Sequence, residues 1–235
     1  MNKTNGLLEI LDAPSYSIAE AARLTGLSKW RVSSYLRGYK TQYRTGTQIK
    51  TVDKPQIVEQ SYSESTYASF LDIADLLIVK GLRRRNFSLQ FLRSALEEAK
   101  VELGTPHFAR STFYTHTDEI ILDLPQKGYM IKLLSGKQSV MPPIIEKLSQ
   151  KLDFEDVTEF GFAQRFYPLG KGEPIVVDPQ IAFGRPTITG LGIPTNNIYD
   201  LFLGEGKKIE PVSQWFEISA SKVQTAVQFE HSLWG

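Results

Sequence analysis

The run Ser17-Ile-Ala-Glu20, followed by Gly26 and Ser28, dictates more local structure than any other stretch of this chain. The Ser17 hydroxyl is placed to accept from an amide three residues on, and the Glu20 carboxylate to return the bond, so a helix is predicted to begin at Ile18. Ile18, Ala21, Ala22 and Leu24 give that helix one apolar face. Gly26 ends it by taking a positive φ, and Ser28 caps a second helix running to about Arg37. The small Ala22 lets the two helices approach closely. With Leu27, Val32 and Tyr35 it completes the spacing of a helix–turn–helix.

On that reading the second helix exposes Lys29, Trp30, Arg31, Ser33, Ser34 and Arg37. It is short, cationic and rich in hydroxyls, which suits the major groove of double-stranded DNA. Lys29, Trp30, Arg31, Ser34 and Arg37 are therefore the candidates for bases and nearby phosphates. A small helical hairpin with solvated charges would carry the same residues. Next, "YKTQYRTGTQIKTVDKP" alternates about Thr45-Gly46 and predicts a β-hairpin wing, from which Tyr39 and Arg44, with Lys40 and Lys50, reach phosphates. After a polar joint, Ser69 and Ser88 cap two further helices. Leu71, Ala74, Leu77 and Ile78 line one face of the first, and Leu89, Leu92, Ala95, Leu96 and Ala99 one face of the second. Arg83, Arg84 and Arg85 fall at the bend between them. Arg84 is the candidate for a DNA-backbone contact there, and a solvated bend is the alternative.

Beyond Gly104 the pattern changes. "TFYTHTDEIILDL" and "GYMIKLL", joined by "PQKG", predict a β-hairpin; "PPIIEKLSQKL" predicts a short helix with Pro at its start; "FAQRFYPLG" and "PIVVDP" read as strands or extended segments. Three short helices are expected at about 196–203, 209–216 and 219–231. The fold class is thus mainly α with small β elements (α+β). Residues 1–105 form a winged helix–turn–helix, 106–172 a hairpin-plus-helix connector, and 173–235 a small three-helix domain. The punctuated stretch "VVDPQIAFGRPTITGLGIPTNN" has the look of a ligand loop, yet no catalytic group converges on it. It reads instead as an entry arm pinned to the following helices by Ile188 and Ile193.

A formal net charge of +1 hides an asymmetry: residues 1–110 hold 16 Lys and Arg against 11 Asp and Glu, and the remainder 11 against 15. The first half is the one suited to a polyanion. The absence of cysteine removes disulfides, thiolate nucleophiles and thiolate metal sites. His107, His116 and His231 stand apart in sequence without metal-ligand spacing. "GLGIPT" is not a dinucleotide fingerprint, and "GEGKKI" lacks phosphate-loop spacing. The expectation is no enzyme, no catalytic residue, no metal site and no cofactor. No stretch approaches about 18 apolar residues and the first residues lack a leader pattern, so no membrane partner is expected and the compartment expected is the cytoplasm.

Through "YSIAEAARLTGLSKWRVSSYL" and "RRNFSLQFLRSALEEAK", residues 16–40 and 70–100 resemble the winged helix–turn–helix of MerR-type regulators. Beyond Gly104 the chain lacks that family's long dimerising helix and its cysteine or drug-binding segment. "VVDP", "GRPTITG", "IPTNNIYDLF" and "VQTAVQFE" resemble the small helical domain of unknown function in one class of VapB-type antitoxins. Val177, Asp178, Pro179, Gly184, Pro186, Ile188, Gly190, Ile193 and Pro194 match that pattern, and Leu191-Gly192 replaces its usual Thr-Arg. With "RFYPLG" the likeness to a two-domain antitoxin covers nearly the whole chain. The resemblance implies a PIN-like, Mg²⁺-dependent ribonuclease toxin as partner, and repression of the chain's own operon through double-stranded operator DNA. It also implies a homodimer or a larger toxin–antitoxin hetero-oligomer. For the toxin, Arg165 and Arg185 are candidates by charge pairing with carboxylates, and Trp234 as an aromatic anchor, with Trp215 of the same type. Phe216 and Phe229 are read as core. The alternative function is a stand-alone MerR-like transcription factor that answers to a small ligand.

Overall fold

Serine caps set the helices of the amino-terminal half. The structure, a computed structural model, describes residues 3–63, 65–109, 113–116, 119–124, 129–134, 146–147, 151–154 and 161–234. Helix α1 (Lys3–Asp12) leads to a two-residue strand, β1 (Tyr16–Ser17). The Glu20 amide donates to the Ser17 hydroxyl at 3.2 Å and the Ser17 amide to the Glu20 carboxylate at 2.8 Å. This complete capping box opens α2 (Ile18–Thr25), which ends on Gly26 at φ 62°. Ser28 caps α3 (Lys29–Arg37) by accepting from the Arg31 amide. The two helices expected here are therefore present with the expected boundaries.

A hairpin follows. Strands β2 (Tyr39–Thr45) and β3 (Gln48–Lys54) pair antiparallel from Tyr39↔Lys54 to Thr45↔Gln48. The turn residues are Gly46-Thr47, one position later than the Thr45-Gly46 expected, because Thr45 is still paired in the ladder. The Ile57 and Val58 amides then donate to the Tyr35 carbonyl, returning the chain to α3. Strand β4 (Tyr67–Ala68) pairs with β1. A second capping box, Ser69 with Asp72, opens α4 (Phe70–Arg84), and Ser88 caps α5 (Leu89–Leu103). Helix α4 packs on α2, α3 and α5, and Leu71, Ala74, Ile78, Leu92 and Leu96 are fully buried with Ala21 and Val32. Lys80 donates to the Thr25 carbonyl, tying α4 to the end of α2.

An antiparallel sheet comes next, in the order β7 (Tyr129–Lys132), β6 (Glu119–Leu124), β5 (Phe113–His116), β8 (Glu146–Lys147). The run "TFYTHTDEIILDL" is two strands rather than one, because folding back on itself sets Phe113 opposite Leu122 and buries both. The helix expected over "PPIIEKLSQKL" is also corrected. Glu146–Lys147 pairs with β5 and Leu152–Asp153 with a later strand, so distant strand edges supply the backbone partners that a helix would have supplied locally. Residues 141–145 and 148–150 lie outside the described residues.

A second antiparallel sheet, β12 (Pro186–Ile188), β11 (Ile175–Val177), β10 (Arg165–Phe166), β9 (Leu152–Asp153), precedes three helices: α6 (Thr195–Gly204), α7 (Ile209–Phe216) and α8 (Ala220–Trp234). Ile188, Ile198, Val212, Ile218, Val223 and Ala226 form their shared core, with Ile193 and Phe216 packed against it. Ile188 and Ile193 thus hold the arm as expected. Phe229 is buried, whereas Trp215 is 75% exposed. The chain divides into two compact units, Asp12–Ser149 with Asp156–Phe162, and Met1–Leu11 with Gln150–Glu155 and Ala163–Gly235. Residues expected to form one connector are shared between them, β5–β8 in the first and β9–β10 in the second. The fold is an α+β mix. Among the described residues no helix is long and apolar enough to cross a membrane.

Gly38 joins α3 to the hairpin at φ 72° and ψ −176°, and a Cβ there would meet the Lys54 carbonyl oxygen at 2.4 Å. Gly46 also has a positive φ but open space around it. Gly38→Ala should therefore destabilise the protein by more than about 2 kcal/mol, against about 1 kcal/mol for Gly46→Ala. Urea unfolding followed by circular dichroism reads both, and equal costs would refute the close approach at Gly38.

Candidate nucleic-acid interface

Helix α3 buries Val32, Tyr35 and Leu36 and leaves Lys29, Trp30, Arg31 and Arg37 exposed. Ser34 departs from expectation: it is 3% exposed, and its hydroxyl donates to the Arg31 carbonyl at 3.0 Å. It lies on the outward side but is short, one turn after Trp30 and Arg31, so it forms a floor beneath longer neighbours. Arg37 is exposed but already engaged, donating from Nη2 to the Thr66 carbonyl at 3.1 Å.

Trp30 is 62% exposed and stands against Tyr39 at the root of the hairpin, with ring centroids 5.3 Å apart and planes tilted by 59°. This pair flanks a groove of about 540 Å³. Arg31 and Tyr35 from α3 line it on one side, and Lys80, Arg83 and Arg84 from the last turns of α4 on the other. The cations differ in what they do. Lys80 is bonded to the Thr25 carbonyl, and Arg83 donates to the Phe87 carbonyl across the α4–α5 bend. Arg84 is exposed. Of the eight residues nominated from sequence, Trp30, Arg31, Ser34, Tyr39 and Arg84 line this one groove. Lys29 is exposed at the start of α3, Arg44 is exposed near the hairpin turn, and Arg37 serves the neighbouring loop. Lys80 was not nominated; its signal is the i, i+3, i+4 spacing to Arg83 and Arg84.

The same unit holds a buried polar cluster. His107 is bonded through Nδ1 to the Asp75 Oδ2 at 2.9 Å and through Nε2 to the Asp12 Oδ1 at 3.0 Å, with the Ser61 Oγ 3.1 Å from the same Nε2. Asp75 also accepts from the Phe108 and Ala109 amides. Burial pulls the imidazole pKa down, but the bonds to Asp12 and Asp75 and the charges of Asp75 and Asp72 carry it up to about 10. Burial raises Asp75 above its ordinary value, although His107 and the two amides draw it down. With its own pKa at about 10, the imidazole is protonated at neutral pH and donates from both nitrogens. Burial likewise lifts Asp72 to about 6, against the Ser69 amide. Ser61, His107 and Asp75 stand in the order of a nucleophilic triad, but an imidazolium has no lone pair for the serine proton. The bonds tie Asp12, Ser61 and Asp75 together through one ring. Sequence reading left His107 isolated because its partners lie 32, 46 and 95 residues away.

In the other unit, Arg165 Nε donates to the buried Asp178 carboxylate at 2.9 Å and its Nη1 lies 3.9 Å from Asp153. It ties neighbouring strands together. Arg185 is exposed, immediately after a 3-10 turn, Ala182–Gly184. Trp234 ends α8, and its side chain lies outside the described part. Sequence reading missed Phe183, which is 89% exposed at φ 56°. Residue type carries no signal for a positive φ at phenylalanine.

Residues 175–229 match the family described as a protein of unknown function (DUF433). The X-ray crystal structure of Rv2018 from Mycobacterium tuberculosis is similar to this chain with a TM-score of 0.58, covering 92% of this chain and 99% of that one at 18% identity, a likeness of fold alone. No curated protein matches the chain.

The cluster sets a pH dependence of stability. The folded pKa of His107 lies above its ordinary 6.5, so its contribution is complete below pH 6.5 and is lost as pH rises through about 10. Asp72 acts in a separate window: its burial cost is absent below 3.8 and complete above about 6. Between pH 7 and 9, urea stability should fall with a slope approaching about 1.4 kcal/mol per pH unit. His107→Gln should be less stable at pH 7 and nearly flat over that range; an unchanged slope would remove His107 as the source.

Proposed function

We propose that this chain is a DNA-binding antitoxin. Its helix–turn–helix half binds double-stranded operator DNA as a homodimer, and its C-terminal domain holds a PIN-like ribonuclease toxin. The observation that carries the reading is the outer face of α3, where Lys29, Trp30 and Arg31 are exposed beside a cation-lined groove and a β-hairpin. A helix laid in the major groove by this face brings Lys29, Trp30 and Arg31 to base edges. Arg44 and Arg84 then meet phosphates on either side, and Tyr39 braces Trp30. Two copies about a twofold axis read the half-sites of an inverted repeat. The toxin half rests on the resemblance to VapB-type antitoxins, and the family match falls on the stretch that carries this resemblance.

The groove also supports a second reading, a transcription factor with a small ligand, since its volume falls in the range of about 300–1,000 Å³ usual for such sites. A ligand there would lie on α3 itself and compete with DNA. The antitoxin reading expects the purified chain to bind its operator unaided, and a requirement for an added small molecule would favour the rival.

The test is fluorescence anisotropy on the chain's own promoter DNA over a salt series. Each phosphate contact removed should lower the slope of log affinity against log salt by about 0.9. Lys29→Ala, Arg31→Ala and Arg84→Ala together should weaken binding at least about 100-fold, and the loss of Arg84 from both protomers should flatten that slope by roughly 2. Arg37→Ala, whose side chain holds the Thr66 carbonyl, should bind within a few-fold of wild type. Wild-type binding by the triple variant would overturn the assignment of this face to DNA.

A further inference from the structure

Between β11 and β12 two consecutive non-glycine residues occupy the left-handed region, Ala182 at φ 49° and Phe183 at φ 56°. A Cβ disfavours that conformation, and it persists only where the surroundings over-determine it. Here they do. The Gln180 amide donates to the Asp178 carboxylate at 2.9 Å, and the Ile181 amide to the Asp178 carbonyl at 2.9 Å. The Gly184 amide donates to the Ile181 carbonyl at 3.0 Å and the Arg185 amide to the Ala182 carbonyl at 3.2 Å. Asp178 is itself buried and held by Arg165.

The product of this constraint is an aromatic ring in solvent. Phe183 is the most exposed of the large hydrophobic residues described. Folding gains nothing from it, since the backbone is strained and the ring is unburied. Ile181 and Leu191, in the same arm, are also exposed. Arg185 is exposed as well, and it is the sole charged residue between Pro179 and Tyr199. A strained, rigid turn that displays an aromatic beside a cation has the make-up of an interface anchor.

We infer that Phe183 is the residue by which the C-terminal domain seats in its toxin, its ring entering an apolar cleft while Arg185 pairs with a carboxylate at the cleft's edge. This inference rests on the antitoxin reading. The unopposed cation selects an acidic partner, and a metal-dependent nuclease carries a carboxylate cluster by the nature of its chemistry. Two copies of this chain meeting through the same patch would bring the two Arg185 together, with no carboxylate in the segment to neutralise them. The occupant is therefore the nuclease.

The experiment uses the full-length chain co-expressed with the PIN-like nuclease encoded beside its gene, with affinity, nuclease activity and oligomeric state measured. Phe183→Ala and Arg185→Glu should each lower affinity at least about 30-fold and release nuclease activity. Phe183→Gly should lower affinity as the alanine variant does, yet raise the melting temperature by roughly 2–4 °C, because glycine relieves the positive φ. Wild-type affinity in the Ala and Glu variants overturns the inference and leaves the antitoxin reading standing. A fall in melting temperature with Phe183→Gly marks Phe183 as a structural residue and also overturns it, as does a change from dimer to monomer with Phe183→Ala. A wild-type chain that fails to hold the nuclease overturns the antitoxin reading, and this inference with it.

Discussion

The amino-terminal unit depends on one buried charge, the imidazolium of His107 between Asp75 and Asp12. Burying a charge is unfavourable unless it is paired and fully hydrogen-bonded. Both conditions hold, because each ring nitrogen donates to a carboxylate and Asp75 accepts two backbone amides besides. The same charge explains why α4, otherwise apolar on its inner side, carries Asp72 and Asp75 there. Asp72 doubles as the returning half of the Ser69 capping box. An apolar stripe tolerates small rotations of a helix; a hydrogen-bonded ion pair does not. Arg84 follows Asp75 by nine residues, which at 3.6 residues per turn sets it on the opposite side of α4. Fixing Asp75 therefore fixes the wall of the groove beside α3.

Net charge counts cations without saying which are free. Lys80, Arg83 and Arg37 each hold a backbone carbonyl, at the end of α2, at the α4–α5 bend and before β4. They position the surface. Lys29, Arg31, Arg44 and Arg84 remain exposed on it. A basic half-chain is thus partly a set of helix ties and partly an electrostatic face, and the proposed DNA contact uses only the second set.

That division also marks how much was legible in the sequence. Caps are local: Ser17 with Glu20, Ser28, Ser69 and Ser88 meet their partners within three residues, so the helices they start were readable to within a residue. The helices after Pro194 and the hairpin about Gly46 were readable from a different local signal, apolar spacing and glycine breaks, since α6 and α7 have no side-chain cap. Where partners are distant, the reading failed. Glu146–Lys147 became a strand because β5 offered an edge. His107 found its carboxylates across the fold, and Ser34 was covered by its own longer neighbours. Phe183 was illegible for a different cause: sequence patterns encode apolarity and breaks, but not a positive φ forced on a residue that resists it.

The arm from Val176 to Asn197 shows why punctuation alone misleads. Its prolines and glycines have the composition of a ligand loop, yet they build a rigid display. Asp178 anchors the turn from below, Ile188 and Ile193 fasten it to the helical core, and the 3-10 turn is closed by its own amides. A flexible loop carrying Phe183 would lose conformational freedom on binding, and that loss would subtract from affinity. In this arm the ordering is complete before any partner arrives. Strain within the free domain then serves the proposed recognition, because the energy that holds Phe183 in solvent is spent in folding rather than on binding.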